Sequence, residues 1–182
     1  MAYALSLCSV GMQLWTAGHS NKPVSVLREM LRAADIESLV DVRMFPMSRR
    51  WPQFNRDALA RSLAATGIEY RHAPELGGRR KPQPDSVHLG LRDEGFRGFA
   101  DYMGTAEFEH AVSVLLDGAS QRRTAIMCAE ALPWRCHRSL ISDALVARGF
   151  EVTHLIGGEQ RVHVLTAAAR VEDGQVVYPA LL

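Results

Sequence analysis

The chain has 182 residues, 47% apolar and 23% charged, and 21 Lys and Arg against 20 Asp and Glu leave a net charge of +1. That apolar content with so little net charge excludes a disordered chain, and the length suits one domain with its own core. No run of about 18 apolar residues occurs, so no membrane helix is expected, and the charge balance excludes a bulk polycation that coats nucleic acid.

Met1 to Gly11 is mildly apolar but lacks the Lys or Arg of a signal-peptide n-region. It reads as an extension ahead of Met12 or as a short added edge strand. Leu14 to Ala17 reads as a buried strand ending at Gly18. Pro23 opens a helix, which suits its fixed φ, with Ser20 or Asn21 as cap. Leu27, Met30 and Leu31 form the apolar stripe of that helix. Ser38 to Val42 is the second strand. Asp57 to Ala65 is helical, with Leu59 and Leu63 on one face and Gly67 as terminator. Ile68 to His72 is the third strand.

From Pro74 to Gly98 periodicity vanishes and Gly, Pro and Arg dominate, so a long loop is expected, a length often tied to function. Phe99 to Met103 reads as one helical turn, and Thr105 to Leu116 as a helix carrying Phe108, Val112 and Leu115 inward. Thr124 to Cys128 is the fourth strand, Arg135 to Arg148 a helix and Glu151 to Ile156 the fifth strand. Arg161 to Ala169 fits no pattern, and Val176 to Pro179 reads as a last edge strand. Neither repeat nor linker is visible.

Alternation of strands and helices predicts a single α/β domain: a three-layer sandwich with a mostly parallel, five-stranded, Rossmann-like sheet. Right-handed crossovers place strands 2 and 3 on one side of strand 1. The long excursion before strand 4 then points to a return on the other side. Ligands of such sheets bind beyond the strand carboxyl ends where the order reverses. Gly18-His19-Ser20, Asp41-Val42-Arg43 and Cys128-Ala129-Glu130 fall there.

Cys8, Cys128 and Cys136 are too few for a disulfide framework, so a reducing cytoplasm is expected, with free thiols or metal ligands. The densest cluster runs from Cys128 through Glu130, Arg135, Cys136 and His137 to Arg138. It passes from a strand end into the expected first turn of a helix. A helix N-terminus favours anions and lowers thiol pKa, which makes Cys136 a candidate thiolate. Glu130 is placed as a catalytic carboxylate, with His19 within reach of the same crevice. The cysteine-phosphatase loop is disfavoured, because six residues rather than five separate Cys128 from Arg135 and no Gly-rich cradle is present. The thioredoxin spacing is absent. Zinc held by Cys128, Cys136, His137 and His19 is chemically possible, but no paired two-residue spacing supports it, so no cofactor is expected.

A second cluster spans Asp41, Arg43, Arg49, Arg50, Trp51, Phe54 and Asn55. Guanidinium and aromatic groups together grip phosphates and stack on bases. Gly77-Gly78-Arg79-Arg80-Lys81 adds three cations on a flexible backbone. Residues 43 to 100 hold eleven cations against six anions, a local excess of five, which leaves −4 for the rest of the chain. A near-neutral chain thus has a basic middle that allows a local anion site. Neither a Walker loop nor a dinucleotide fingerprint occurs.

Over most of residues 13 to 156 the chain resembles the prokaryotic family known as domain of unknown function 488. The resemblance rests on Thr16-Ala17-Gly18-His19-Ser20, Asp41-Val42-Arg43, Pro46 with Ser48, and Phe54-Asn55. It continues through Glu75-Leu76-Gly77-Gly78, Gly98 to Met103, Met127-Cys128-Ala129-Glu130 and Cys136-His137-Arg138. Ala17 stands where such sequences often carry Ile, which changes packing rather than chemistry. The resemblance implies a family core over 13–156, with 1–12 as extension and 157–182 as tail. It names no activity, but its motif residues map onto His19, Asp41, Arg43, Cys128, Glu130, Cys136, His137 and Arg138.

The expected function is an enzyme, a hydrolase or transferase, acting on a phosphate-bearing substrate such as a nucleotide or nucleic acid. Arg43, Arg49, Arg50 and Arg138 would hold the anion, assisted by the helix end at Arg135. Glu130 would be general acid or base with His19 or His137, and Cys128 or Cys136 the nucleophile if the reaction is covalent. Two alternatives use the same residues: a non-catalytic nucleic-acid-binding module, and a thiol or metal sensor built on Cys128 and Cys136.

Overall fold

The computed structural model describes residues 12–180, so Met1 to Gly11, Cys8 among them, lie outside the described residues. Five strands run parallel: β1 (Gln13–Gly18), β2 (Ser38–Asp41), β3 (Glu69–His72), β4 (Thr124–Cys128) and β5 (Glu151–Ile156). A sixth, β6 (Glu159–Val162), turns back at Gly157-Gly158 and pairs antiparallel with β5. The sheet therefore has six strands rather than five, the sixth lying after the fifth strand and running into the start of the unassigned segment.

Both faces of the sheet are covered, which is why β4 is buried at every residue and β1 at all but its first. Side chains alternate between two cores. Trp15, Ala17, Leu39, Ala125 and Met127 pack against α1 (Val24–Ala33) and α2 (Arg56–Ala64), through Leu27, Leu31, Leu59 and Leu63. Leu14, Val40 and Ile126 face the other way. They pack against α3 (Glu94–Met103), α4 (Ala106–Ala119) and α5 (Arg138–Ala147), through Phe99, Phe108 and Leu140. Among the described residues no helix is long and apolar enough to cross a membrane.

The strand order is β3-β2-β4-β1-β5-β6. Strands 2 and 3 lie on one side of strand 1, as expected, but strand 4 falls between β2 and β1 rather than on the far side of strand 1. The β1–α1–β2 crossover skips one slot, and β4 later fills it, pairing with β1 through Trp15 to Gly18 and with β2 through Ser38 to Asp41. The reversal still falls between β1 and β4. From there α1 leads to one face and α5 to the other, and a crevice opens beyond their carboxyl ends.

Four local readings also change. Neither Ser20 nor Asn21 caps α1; Pro23 holds the cap position with no side-chain bond. The helix read as one turn from Phe99 starts at Glu94, capped by Asp93 accepting from the Phe96 amide. The helix read from Arg135 starts at Arg138: Pro133–Arg135 is a separate 3-10 turn and Cys136 is extended, with φ −144° and ψ 143°. The last strand belongs to a separate hairpin, β7 (Arg170–Glu172) and β8 (Gln175–Val177), turned at Asp173-Gly174 with both φ positive.

Candidate active site at the carboxyl ends of β1, β2 and β4

Beyond the strand ends the ladder continues. The His19 amide donates to the Cys128 carbonyl at 3.1 Å and the Ser20 amide to the Ala129 carbonyl at 2.8 Å. Ser20 takes a left-handed φ of 51° to do so. Asp41 and Arg43 lie two residues apart on the next strand end. Asp41 is fully buried and accepts from Arg43 Nε at 2.8 Å, Arg43 NH2 at 2.5 Å and the Arg43 amide at 3.1 Å. The Tyr70 hydroxyl donates to the same carboxylate at 2.7 Å, and burial beside it pushes the phenol pKa up.

Arg43 also donates to the Phe54 carbonyl at 2.8 Å and, through NH1, faces His19 Nε2 at 3.1 Å. A guanidinium only donates, so His19 Nε2 is the acceptor, and Nδ1–H donates to the Ser20 carbonyl at 2.8 Å. His19 stacks on Phe54 with ring centroids 4.1 Å apart. Both ring nitrogens of His19 are therefore committed to holding Arg43 and the Ser20 turn.

Arg43 and His19 form the inner wall of a cleft of about 420 Å³. Glu130, Arg50, Arg79, Trp51 and Phe45 complete its working surface. Arg50 lies over Trp51 at 5.3 Å and Arg79 over Phe45 at 5.9 Å. Arg79 reaches the cleft through a φ of 63° in the basic loop. Its neighbour Arg80 turns away, 3.6 Å from the Tyr102 ring centre. Arg49 and Arg135 are exposed outside the cleft lining, and Asn55 accepts from the Ser48 amide at 2.6 Å, bracing the loop.

Cys128 and Cys136 sit behind this cleft, 8% and 4% exposed. Their sulfurs and a ring nitrogen of His137 lie within 4.8 Å of one another, and the described residues add no fourth His, Cys or carboxylate to that set. Cys136 Sγ is 3.6 Å from His137 Nδ1. The Cys128 thiol bonding to it holds the Cys136 thiol well below its ordinary pKa. His137 and Arg138 add to this, against the opposing effect of burial. The same pairing, with burial, pushes Cys128 up.

Arg138 is 1% exposed and has no carboxylate partner among the described residues. It donates from NH2 to the Glu130 carbonyl at 2.5 Å and from NH1 to Thr16 Oγ1 at 3.2 Å, and its Nε is unpartnered. A Cβ at Gly18 would collide with the Glu130 carbonyl and crowd Arg138, so only glycine permits β1 to approach the loop bearing Glu130.

One buried group of residues was not anticipated. Thr16 Oγ1 and His154 Nδ1 are 2.8 Å apart, His154 Nε2 and His163 Nδ1 2.9 Å, and His163 Nε2 and Asp143 Oδ1 2.9 Å. The Tyr178 hydroxyl donates to Asp143 Oδ2 at 2.9 Å. The available signal was polar residues at inward positions: Thr16 and His154 in apolar strands, and Asp143 on the buried face of α5.

His19 and His154 give a pH prediction. Burial lowers each to about 4, helped by the charges of Arg43 and Arg138 at His19 and of His163 and Arg138 at His154, while the Ser20 carbonyl works the other way at His19. An unfolded histidine titrates near 6.5, so protonation favours the unfolded chain. Their contribution is complete above that pH and is lost as pH falls toward 4, by about 1.4 kcal/mol per pH unit for each imidazole. Denaturant midpoints should fall steadily between about pH 6.5 and pH 4. A flat profile across that window contradicts the assignment.

A family model described as a domain of unknown function, DUF488, matches residues 23–145. Asp41, Arg43, Cys128, Glu130, Cys136, His137 and Arg138 lie inside that span, and His19 lies just before it. No curated protein and no solved structure gives a match. The matched span covers more than half of the chain, from the start of α1 to the last turn of α5, so the chain belongs to the DUF488 family.

Proposed function

We infer that the protein is an enzyme acting on a phosphate-bearing substrate, a nucleotide or a nucleic-acid strand, by hydrolysis or glycosyl-type transfer. One observation carries this reading: an exposed carboxylate, Glu130, shares a single cleft with the guanidinium groups of Arg43, Arg50 and Arg79 and the rings of Trp51 and Phe45. Arg50 and Arg79 are the exposed cations, free to take a phosphate. Arg43 is spent on Asp41, Phe54 and His19 and contributes charge and at most one remaining N–H. Trp51 and Phe45 offer stacking surfaces for a base.

Glu130 is the acid or base in this reading, because His19 has no free ring nitrogen. Arg138 is a positioning residue, gripping the Glu130 backbone rather than the substrate. A covalent thiol step is less well supported, since Cys128 and Cys136 are nearly inaccessible. A non-catalytic nucleic-acid module would use the same Arg and aromatic groups and differs only in leaving Glu130 idle.

The test is a thermal-shift screen of the full chain against nucleotides, sugar phosphates and short oligonucleotides. A nucleotide at a hundredfold excess over its Kd should raise Tm by about 5–10 °C, less at high salt. The Arg50→Ala/Arg79→Ala double variant should lose the shift. No shift with any phosphate compound, or a shift that survives both substitutions, overturns the reading.

A further inference from the structure

A second cavity, of about 520 Å³, opens on the other side of the loop that carries Glu130. Its volume suits a small molecule rather than solvent alone. Pro133–Arg135 follows Glu130 by three residues, so Trp134 walls this cavity while Glu130 faces the first. Phe96 and Val162 supply further apolar wall, and His154 and His163 form the buried end.

The chemistry of that end is set by its hydrogen bonds. Arg138 can only donate and ionised Asp143 can only accept. With both imidazoles neutral, the Asp143 end orients the bonds in turn: His163 Nε2–H to Asp143, His154 Nε2–H to His163 Nδ1 and the Thr16 hydroxyl to His154 Nδ1, while Thr16 accepts from Arg138. All four imidazole nitrogens are used. The two histidines therefore offer a ligand ring carbon and π surface, with no free donor or acceptor. They meet edge to face, with centroids 5.0 Å apart.

Charge at the rim is as selective. Arg161 is paired with Glu159, and Asp93 caps the Phe96 amide. Arg92 is exposed, with no carboxylate partner among the described residues. The exposed indole of Trp134, at 56%, is a large aromatic surface left to solvent.

We propose that this cavity is a second ligand site, for a small aromatic or heteroaromatic acid whose ring packs against Trp134 and the histidine rings and whose anionic group meets Arg92. The occupant differs in class from the phosphate-bearing substrate of the first cleft, which is cationic and polar. The site stands on its own residues and does not depend on the activity assigned to Glu130.

The experiment is fluorescence titration of the native full chain with 1-anilinonaphthalene-8-sulfonate, followed by displacement with indole-3-acetate and with its neutral analogue tryptophol. Saturable one-to-one binding is expected, with indole-3-acetate displacing the dye better than tryptophol. Trp134→Ala, at an exposed position, should weaken binding of both acids by about tenfold or more. Arg92→Ala should weaken the acids by about two- to fivefold and leave tryptophol unchanged. Absence of saturable binding, or unchanged affinity in Trp134→Ala, overturns the site. Equal affinities for acid and neutral analogue overturn the ligand class. A chain that dimerises, and is returned to monomer by Trp134→Ala, assigns the face to a second copy and overturns the proposal.

Discussion

Replacing Asp41 with alanine should destabilise the fold by about 3–5 kcal/mol, because it strands a buried cation. The Arg43 side chain is 7% exposed, and Asp41 is its only carboxylate partner among the described residues. Alanine removes three bonds to Arg43 and the acceptor of the Tyr70 hydroxyl at once. The nearly buried guanidinium then keeps only the Phe54 carbonyl and His19 and has no counter-charge. For a chain of this length the loss corresponds to a fall in Tm of about 10 °C or more. A second substitution makes the cause testable. Arg43→Met removes the charge as well, so Asp41→Ala/Arg43→Met should be more stable than Asp41→Ala alone. Denaturant unfolding of wild type, both single variants and the double variant closes the cycle. An Asp41→Ala loss below about 1 kcal/mol, or a double variant no better than the single, shows that the pair does not bear the stability assigned to it.

The same pair shows where sequence reading stops. Asp41 and Arg43 are visible as a polar break at the end of an apolar strand, and their place beyond the carboxyl end of an interior strand follows from that. An ion pair between the two is open to a reader of the sequence, but its support by Tyr70, Phe54 and His19, arriving from three other segments, is not visible. An arginine that reads as a phosphate clamp is thereby mostly occupied. Arg79 is the reverse case: one of three cations in a Gly-rich loop, it reaches the cleft only through a left-handed φ that sequence does not announce.

Strands β1 and β4 are legible as mainly apolar runs, and β5, Glu-Val-Thr-His-Leu-Ile, as a strand whose apolar residues flank Thr153 and His154. The slot of β4 was misplaced, because order follows from which crossover skips a position. The composition nonetheless held a clue: β3 reads Glu-Tyr-Arg-His and takes an edge, whereas β4 reads Thr-Ala-Ile-Met-Cys and takes the middle. The first half of α3 was hidden by Gly95 and Gly98, which lower helix propensity. Gly98 is required there because a Cβ would strike the Arg80 carbonyl. The Thr16–His154–His163–Asp143 chain joins residues up to 138 positions apart, beyond the reach of any local pattern.

Glu130→Gln should lower kcat by about 10²–10⁴ on the phosphate-bearing substrate, while nucleotide affinity and stability stay close to wild type. The side chain is exposed, and Arg138 grips the Glu130 carbonyl rather than its carboxylate. An amide of the same shape therefore leaves that grip and the loop in place, with a stability change within about 0.5 kcal/mol. What it removes is the ability to take and return a proton, since His19 is already bonded at both nitrogens and cannot substitute. Cys136→Ser provides the contrast. At 4% exposure that sulfur is behind the cleft, and turnover should persist if the reaction is not covalent. Steady-state kinetics of the two variants beside nucleotide binding separate the readings. Full turnover in Glu130→Gln removes the carboxylate from the mechanism. Loss in Cys136→Ser with retention in Glu130→Gln transfers the chemistry to the thiol. Binding without turnover in wild type, under every substrate condition, reduces the cleft to a nucleic-acid-binding surface.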